Sequence, residues 1–191
     1  MVQEIVPYQL ERGNKKVNMP LCIFCIKSGI FCQKCQKKID SGQIGETDIQ
    51  IAKLLMTLEQ RYPALQKIRF HNAYEVDTVL AIVVGRGHLP AFFENNGKVL
   101  REIAQETGKR VRVIEKHGEV RRFLEDLFAP VNITTINTIW LPDGTTETRV
   151  ILAGRPRRLP LKTRVLKRLA KKIRGITLRI AYEEQLERMI R

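Results

Sequence analysis

The sequence predicts an α+β protein. A small cysteine knuckle comes first, followed by two units of the order helix-strand-strand-helix-helix-strand, the second of them degenerate. Three observations predict this. All four cysteines lie in one fourteen-residue window, as Cys22-x-x-Cys25 and, after six residues, Cys32-x-x-Cys35. Beyond them the hydrophobic residues alternate between helical and strand periodicity in an order that occurs twice. The chain has 191 residues and is 43% hydrophobic, enough for a packed core.

Residues 1–19 are polar and aperiodic, and a flexible tail is expected there. Residues 20–42 form the knuckle. Two Cys-x-x-Cys pairs so close together can present four thiolates to one tetrahedral ion, which is what zinc takes, at about 2.3 Å per sulfur. A closed four-sulfur shell leaves no position for water or substrate, so the expected cofactor is structural: one zinc per chain on Cys22, Cys25, Cys32 and Cys35. An iron–sulfur cluster and two disulfides are the alternatives. Disulfides belong to secreted proteins, and the first residues carry no apolar stretch of the signal-peptide kind.

The first unit covers residues 46–116. Thr47-x-x-Gln50 reads as a capping box, with Ile51, Leu54, Leu55 and Leu58 following at helical spacing and Pro63 past the end. Strands are expected over Lys67–Tyr74 and Thr78–Val84. One or two helical turns over Leu89–Glu94 precede a helix over Gly97–Thr107, with Val99, Leu100, Ile103 and Ala104 facing inward. Gly108 suits the position just past its end, where φ is positive. Arg110–Glu115 alternates as a last strand.

The second unit covers residues 117–182. It opens with a helix over Glu119–Phe128, then strands over Ile133–Leu141 and Thr146–Leu152 around the hairpin signal Pro142-Asp143-Gly144. A loop from Ala153 to Pro160 leads to a helix over Leu161–Arg174, with no clear short helix before it. Gly175 and a strand over Ile176–Ala181 follow, and a terminal helix is expected over residues 183–191. Trp140, Phe92, Phe93, Phe123 and Phe128 read as core.

Charge narrows the partner. Lysine and arginine number 34 against 20 acidic residues, a net charge of +14. Such a surface attracts polyanions, of which nucleic acid is the usual one. From Arg155 to Arg174 there are ten basic residues and no acidic one. In the predicted helix, Leu161, Val165, Leu169 and Ile173 repeat every four residues, and Arg164, Lys167, Arg168 and Lys171 share the opposite side. Like charges at that spacing repel, and a bound polyanion relieves the repulsion. Arg155, Arg157, Arg158 and Lys162 extend the same surface. His71, His88 and His117 have no cysteine or acidic partner at ligand or triad spacing, so neither catalysis nor a small-molecule substrate is expected. No apolar run is long enough to span a bilayer. No membrane partner and a cytoplasmic location are expected.

The element order resembles that of type II KH domains, the RNA-binding modules of NusA transcription factors and of ribosomal proteins. The best local match is Asn96-Gly97-Lys98-Val99-Leu100-Arg101-Glu102-Ile103 and its continuation to Val113. It is similar to the family's second helix, glycine-bounded turn and last strand. The stretch 46–182 resembles the tandem KH pair of an archaeal NusA-like protein with a zinc knuckle in front. The resemblance implies a non-catalytic RNA-binding factor of transcription elongation or termination, partnered by a nascent transcript and RNA polymerase. The alternative is a ribosomal or ribosome-associated protein that binds rRNA on a ribosomal subunit through the same surface.

KH domains clamp four nucleotides with a Gly-x-x-Gly loop between two helices. Here that position reads Glu94-Asn95-Asn96-Gly97. Only the last glycine remains, and Glu94 brings a negative charge. The resemblance therefore assigns RNA contact to Asn95, Asn96, Gly97, Lys98 and Arg101. The matching stretch of the second unit, residues 158–162, has no glycine. Gly85-Arg86-Gly87 reads as a turn that ends a strand.

Overall fold

In a computed structural model, residues 17–154 and 159–184 are described. The cysteine segment folds as two short helices, α1 (Ile23–Ser28) and α2 (Gln33–Asp40). The first unit contains α3 (Glu46–Leu58), a 3-10 turn (Pro63–Lys67), β1 (Phe70–Val76), β2 (Val79–Val84), α4 (Pro90–Thr107) and β3 (Arg110–Glu115). The second contains α5 (Val120–Phe128), β4 (Ile133–Trp140), β5 (Thr146–Leu152), α6 (Thr163–Arg174) and β6 (Leu178–Tyr182). Each unit has one three-stranded sheet, in the orders β1-β2-β3 and β4-β5-β6. In both sheets the first pair is antiparallel and the second parallel. The two sheets thus share one strand topology.

Helix α3 starts earlier than the Thr47 box suggests. Its N-cap is Gly45, whose N–H donates to Asp48 Oδ2 at 2.7 Å. The other Asp48 oxygen accepts the Ala73 N–H of β1. A buried carboxylate is costly unless hydrogen-bonded, and Asp48 meets that cost by capping the helix and tying it to the sheet. Lys67 ends the 3-10 turn rather than starting β1. Helix α4 contains the break that the sequence predicts: Glu94 is extended, and Asn95, Asn96 and Gly97 are all left-handed. Gly108 then ends α4 with φ 65°.

Residues 17–19 correct the expected tail. Val17 is buried and its N–H donates to Glu59 Oε2 at 2.8 Å. Asn18 bridges to Arg69, its N–H donating to Ile68 O at 2.9 Å. The rest of that expected tail, residues 1–16, lies outside the described residues, as do residues 185–191 of the expected terminal helix. Trp140 is a second correction: it is 76% exposed at the end of β4. It pairs with the exposed Thr146 at the end of the β4–β5 hairpin, beside the exposed residues 142–145.

Strand β2 is buried along its whole length, and the packing explains its unbroken apolar sequence. Leu80, Ile82 and Val84 face a core with Leu55 and Leu58 of α3 and Val99 and Ile103 of α4. That core extends to Cys25, Ile26 and Cys35 of the knuckle. Val79 and Ala81 face the other way, into a core with Phe123, Leu127 and Phe128 of α5 and Leu166 and Leu169 of α6. Val150, Leu152 and Leu178 of the second sheet close that core from the far side. The layers therefore run α3 and α4, first sheet, α5 and α6, second sheet. Phe128 is fully buried in the layer shared by both sheets. Phe128→Ala is expected to cost about 3–5 kcal/mol, read as a lower urea midpoint of one transition that includes both units.

Candidate metal centre and basic surface

Each Cys-x-x-Cys pair straddles the start of a short helix. Cys22 is the N-cap of α1 and Cys32 the N-cap of α2, both extended. Cys25 and Cys35 lie one turn further in, buried. The four sulfurs all lie within 4.8 Å of one another. No cysteine is in a disulfide; Cys22 and Cys25 Sγ are 3.0 Å apart, and Cys22 and Cys35 Sγ 3.6 Å. A bonded pair would be at about 2.05 Å. Backbone donors also point at the sulfurs: the Cys22 N–H at Cys35 Sγ (3.4 Å) and the Cys32 N–H at Cys25 Sγ (3.1 Å). Such N–H···S bonds stabilise thiolate over thiol. The donor set fits one metal ion with a closed shell.

Without metal the thiols differ sharply. A side-chain hydrogen bond between Cys22 and Cys25 that holds the Cys25 proton is the main cause that pushes Cys25 up to about 12. Cys32 is lowered to about 7, chiefly by the Cys35 N–H. Burial pushes Cys35 up.

The turn inside α4 carries the first-unit candidates. Asn95 and Asn96 are exposed, and the helix resumes at Lys98. Arg101 folds back so that Nη2 donates to Asn96 O at 2.6 Å, bracing the left-handed run. Lys98 is exposed and has no carboxylate partner among the described residues. Phe93, immediately before the turn, is 56% exposed, whereas Phe92 is fully buried. Phe93 and Leu100 form one side of a cleft of about 210 Å³, with Val111 and Val113 of the edge strand β3 on the other. Reading Phe93 as core hid this cleft. The exposed position next to an interrupted helix is the only sequence signal for it.

The second basic group is divided by function. Helix α6 starts at Thr163, so Lys162 is its N-cap residue. Val165, Leu166, Leu169 and Ala170 are buried, as the apolar stripe predicts. The basic residues point outward, but they are not all free. Arg164 Nη2 lies 3.0 Å from Asp77 Oδ2, and Arg168 Nη1 bonds Asp77 Oδ1. Lys172 donates to Glu75 O at 3.1 Å, and Lys171 to Thr177 Oγ1 at 3.2 Å. Arg174 donates to the carbonyls of His117 and Gly118. Lys162 and Lys167 are exposed without a carboxylate partner among the described residues. Arg155, Arg157 and Arg158 lie outside the described residues.

The hydrogen bond from Arg164 leads the effects that hold the Asp77 carboxyl below its usual range, with Arg168 adding to it. The stability that this contact contributes is present above the ordinary carboxylate pKa. It is lost as pH falls through the lower folded value. Neither Asp77 nor its distant arginines share a sequence window, which is why the pairing was not legible in the chain.

One histidine does gain acidic partners through folding. His117 Nε2 lies 2.9 Å from Asp126 Oδ2 and 3.9 Å from Glu115 Oε2. Asp126 Oδ2 also accepts the Glu115 N–H at 3.1 Å. The cluster ties the end of β3 to α5. The side chains lining the adjoining cleft include no serine, threonine or cysteine.

No helix among the described residues is long and apolar enough to cross a membrane. No family model matches the chain, and no curated protein matches it. Among solved structures, the crystal structure of APE1850 is similar at 13% identity, covering 69% of this chain and 96% of that one, with a TM-score of 0.49.

Proposed function

We propose that this is a non-catalytic RNA-binding protein built on two type II KH-like units, with a structural zinc ion in the knuckle. In this reading it acts on nascent transcripts as a NusA-like factor of elongation or termination, with RNA polymerase as its protein partner. The observation that carries it is the break in α4. A left-handed turn at residues 95–97 lies between two helical segments, where the KH fold holds its phosphate clamp. Lys98 opens the following segment, and helix N-termini favour phosphate. The apolar cleft beside Phe93 has room for a nucleobase, and an exposed aromatic wall suits stacking. Glu94 weakens the clamp electrostatically. Affinity therefore comes mainly from the net charge of +14 and from the α6 surface, with little base reading.

Ultraviolet crosslinking in native cells, followed by sequencing of the attached RNA, tests the reading. Reads spread over nascent messages, with RNA polymerase in the same pull-down, are expected. Reads confined to one or two rRNA positions would instead make the two units a ribosomal block, and absence of crosslinked RNA would remove the RNA reading altogether.

A further inference from the structure

The seam between the units holds a site whose occupant belongs to the protein itself. Asp77 sits in the β1–β2 turn, left-handed at φ 52°, and reaches across to the second unit. Its two oxygens are divided between two guanidiniums, Oδ2 to Arg164 and Oδ1 to Arg168. That is how a phosphodiester presents its two non-bridging oxygens to an arginine pair. The arginine side chains are 77% and 54% exposed, whereas that of Asp77 is only 28% exposed. The cations therefore face solvent and the carboxylate lies beneath them. One negative charge serves two positive ones, so the pair keeps an unneutralised charge. The same turn is held by a backbone contact from Lys172 and by the pair Lys109–Glu75, at 2.5 Å. The turn therefore keeps its place without Asp77.

We propose that Arg164 and Arg168 form a phosphate-binding site that Asp77 occupies in the free protein, and that RNA engages α6 by displacing this carboxylate. The proposal rests on the RNA-binding reading above and names the regulation of that surface. Exchange of one carboxylate for one phosphodiester leaves the local charge unchanged. The swap alone gains little, so RNA must also reach Lys162 and Lys167 to hold on. Asp77 thereby discriminates against isolated anions and favours an extended polyanion.

The test is fluorescence anisotropy of the full chain with a labelled oligouridine over a salt series, comparing the unmodified protein with Asp77→Asn. Glu106→Gln, at an exposed carboxylate without a partner among the described residues, serves as the control for loss of one negative charge. Asp77→Asn is expected to tighten binding about tenfold at low salt and to steepen the log–log salt dependence by roughly one. Glu106→Gln should do neither. The gain should vanish when Arg164→Gln and Arg168→Gln are added. If the unmodified protein binds RNA and Asp77→Asn binds it equally, the competition is wrong and the RNA reading stands. If neither binds, both fall.

A second readout needs no substitution. In the unmodified chain, saturating RNA should move the Asp77 carboxyl titration, followed by carbon NMR, up towards the ordinary carboxylate range as the arginines leave. An unmoved titration in the RNA complex overturns the proposal even if Asp77→Asn fails to fold.

Discussion

A chain with Cys25→Ser is expected to hold no metal and to lose α1 and α2 as folded helices. The two helices have 6 and 8 residues. Isolated helices of that length do not persist in water, since about 12–15 residues are needed even in favourable sequences. Their own buried side chains are few: Cys25 and Ile26 in the first, Cys35 in the second. A structural zinc ion supplies an apparent ~10–16 kcal/mol at neutral pH, far more than those contacts can. Elemental analysis should give one zinc per chain in the unmodified protein and none in the variant. Hydrogen exchange should accelerate across residues 22–40. One retained metal ion with protected amides would refute the four-sulfur centre; iron and sulfide in place of zinc would replace the ion but not the ligands.

Acidification should act in the same direction. Binding requires four thiolates, so the protein must release the protons that Cys25, pushed up to about 12, and the buried Cys35 hold most firmly. Falling pH restores those protons and weakens the metal site. Chelator resistance should therefore drop progressively as pH falls.

Reversing both unpartnered lysines of the basic helix, Lys162→Glu with Lys167→Glu, is expected to lower RNA affinity at least tenfold and to leave thermal stability nearly unchanged. Each phosphate contact contributes close to 0.9 to the log–log salt slope, so the slope should fall by about two. The choice of residues follows from the ion pairs. Arg168→Glu would place a negative charge against Asp77 and strain the seam between the units, confusing binding with folding. Lys162 and Lys167 carry no such load among the described residues. Unchanged affinity in a folded double variant would remove α6 from the RNA surface.

The parts of this architecture encoded locally were legible in the sequence. Cysteine spacing located the four sulfurs, and apolar spacing located α3, α5 and α6. The separate helical segments expected over Leu89–Glu94 and Gly97–Thr107 located the interruption of α4. What remained hidden depends on pairs distant in sequence. Asp77 meets Arg164 and Arg168 only because the second unit packs on the first sheet. His117 acquires Asp126 only because α5 folds back on β3. Helical spacing placed Phe92 and Phe93 alike in the core, since it cannot separate two adjacent positions where a helix ends. Trp140 was misplaced for a similar reason: strand periodicity says which way a side chain points but not how far the covering layer extends.

The two-sided burial of β2 has a consequence for the divisibility of this fold. Val76, Val79, Ala81 and Ile114 of the first unit are covered by helices that belong to the second. Excising residues 117–184 would lay that apolar face open to water, with the aggregation hazard that such exposure brings. The first unit is therefore not a free-standing cassette. The two halves are expected to fold as one piece, each needing the other to keep this face from water.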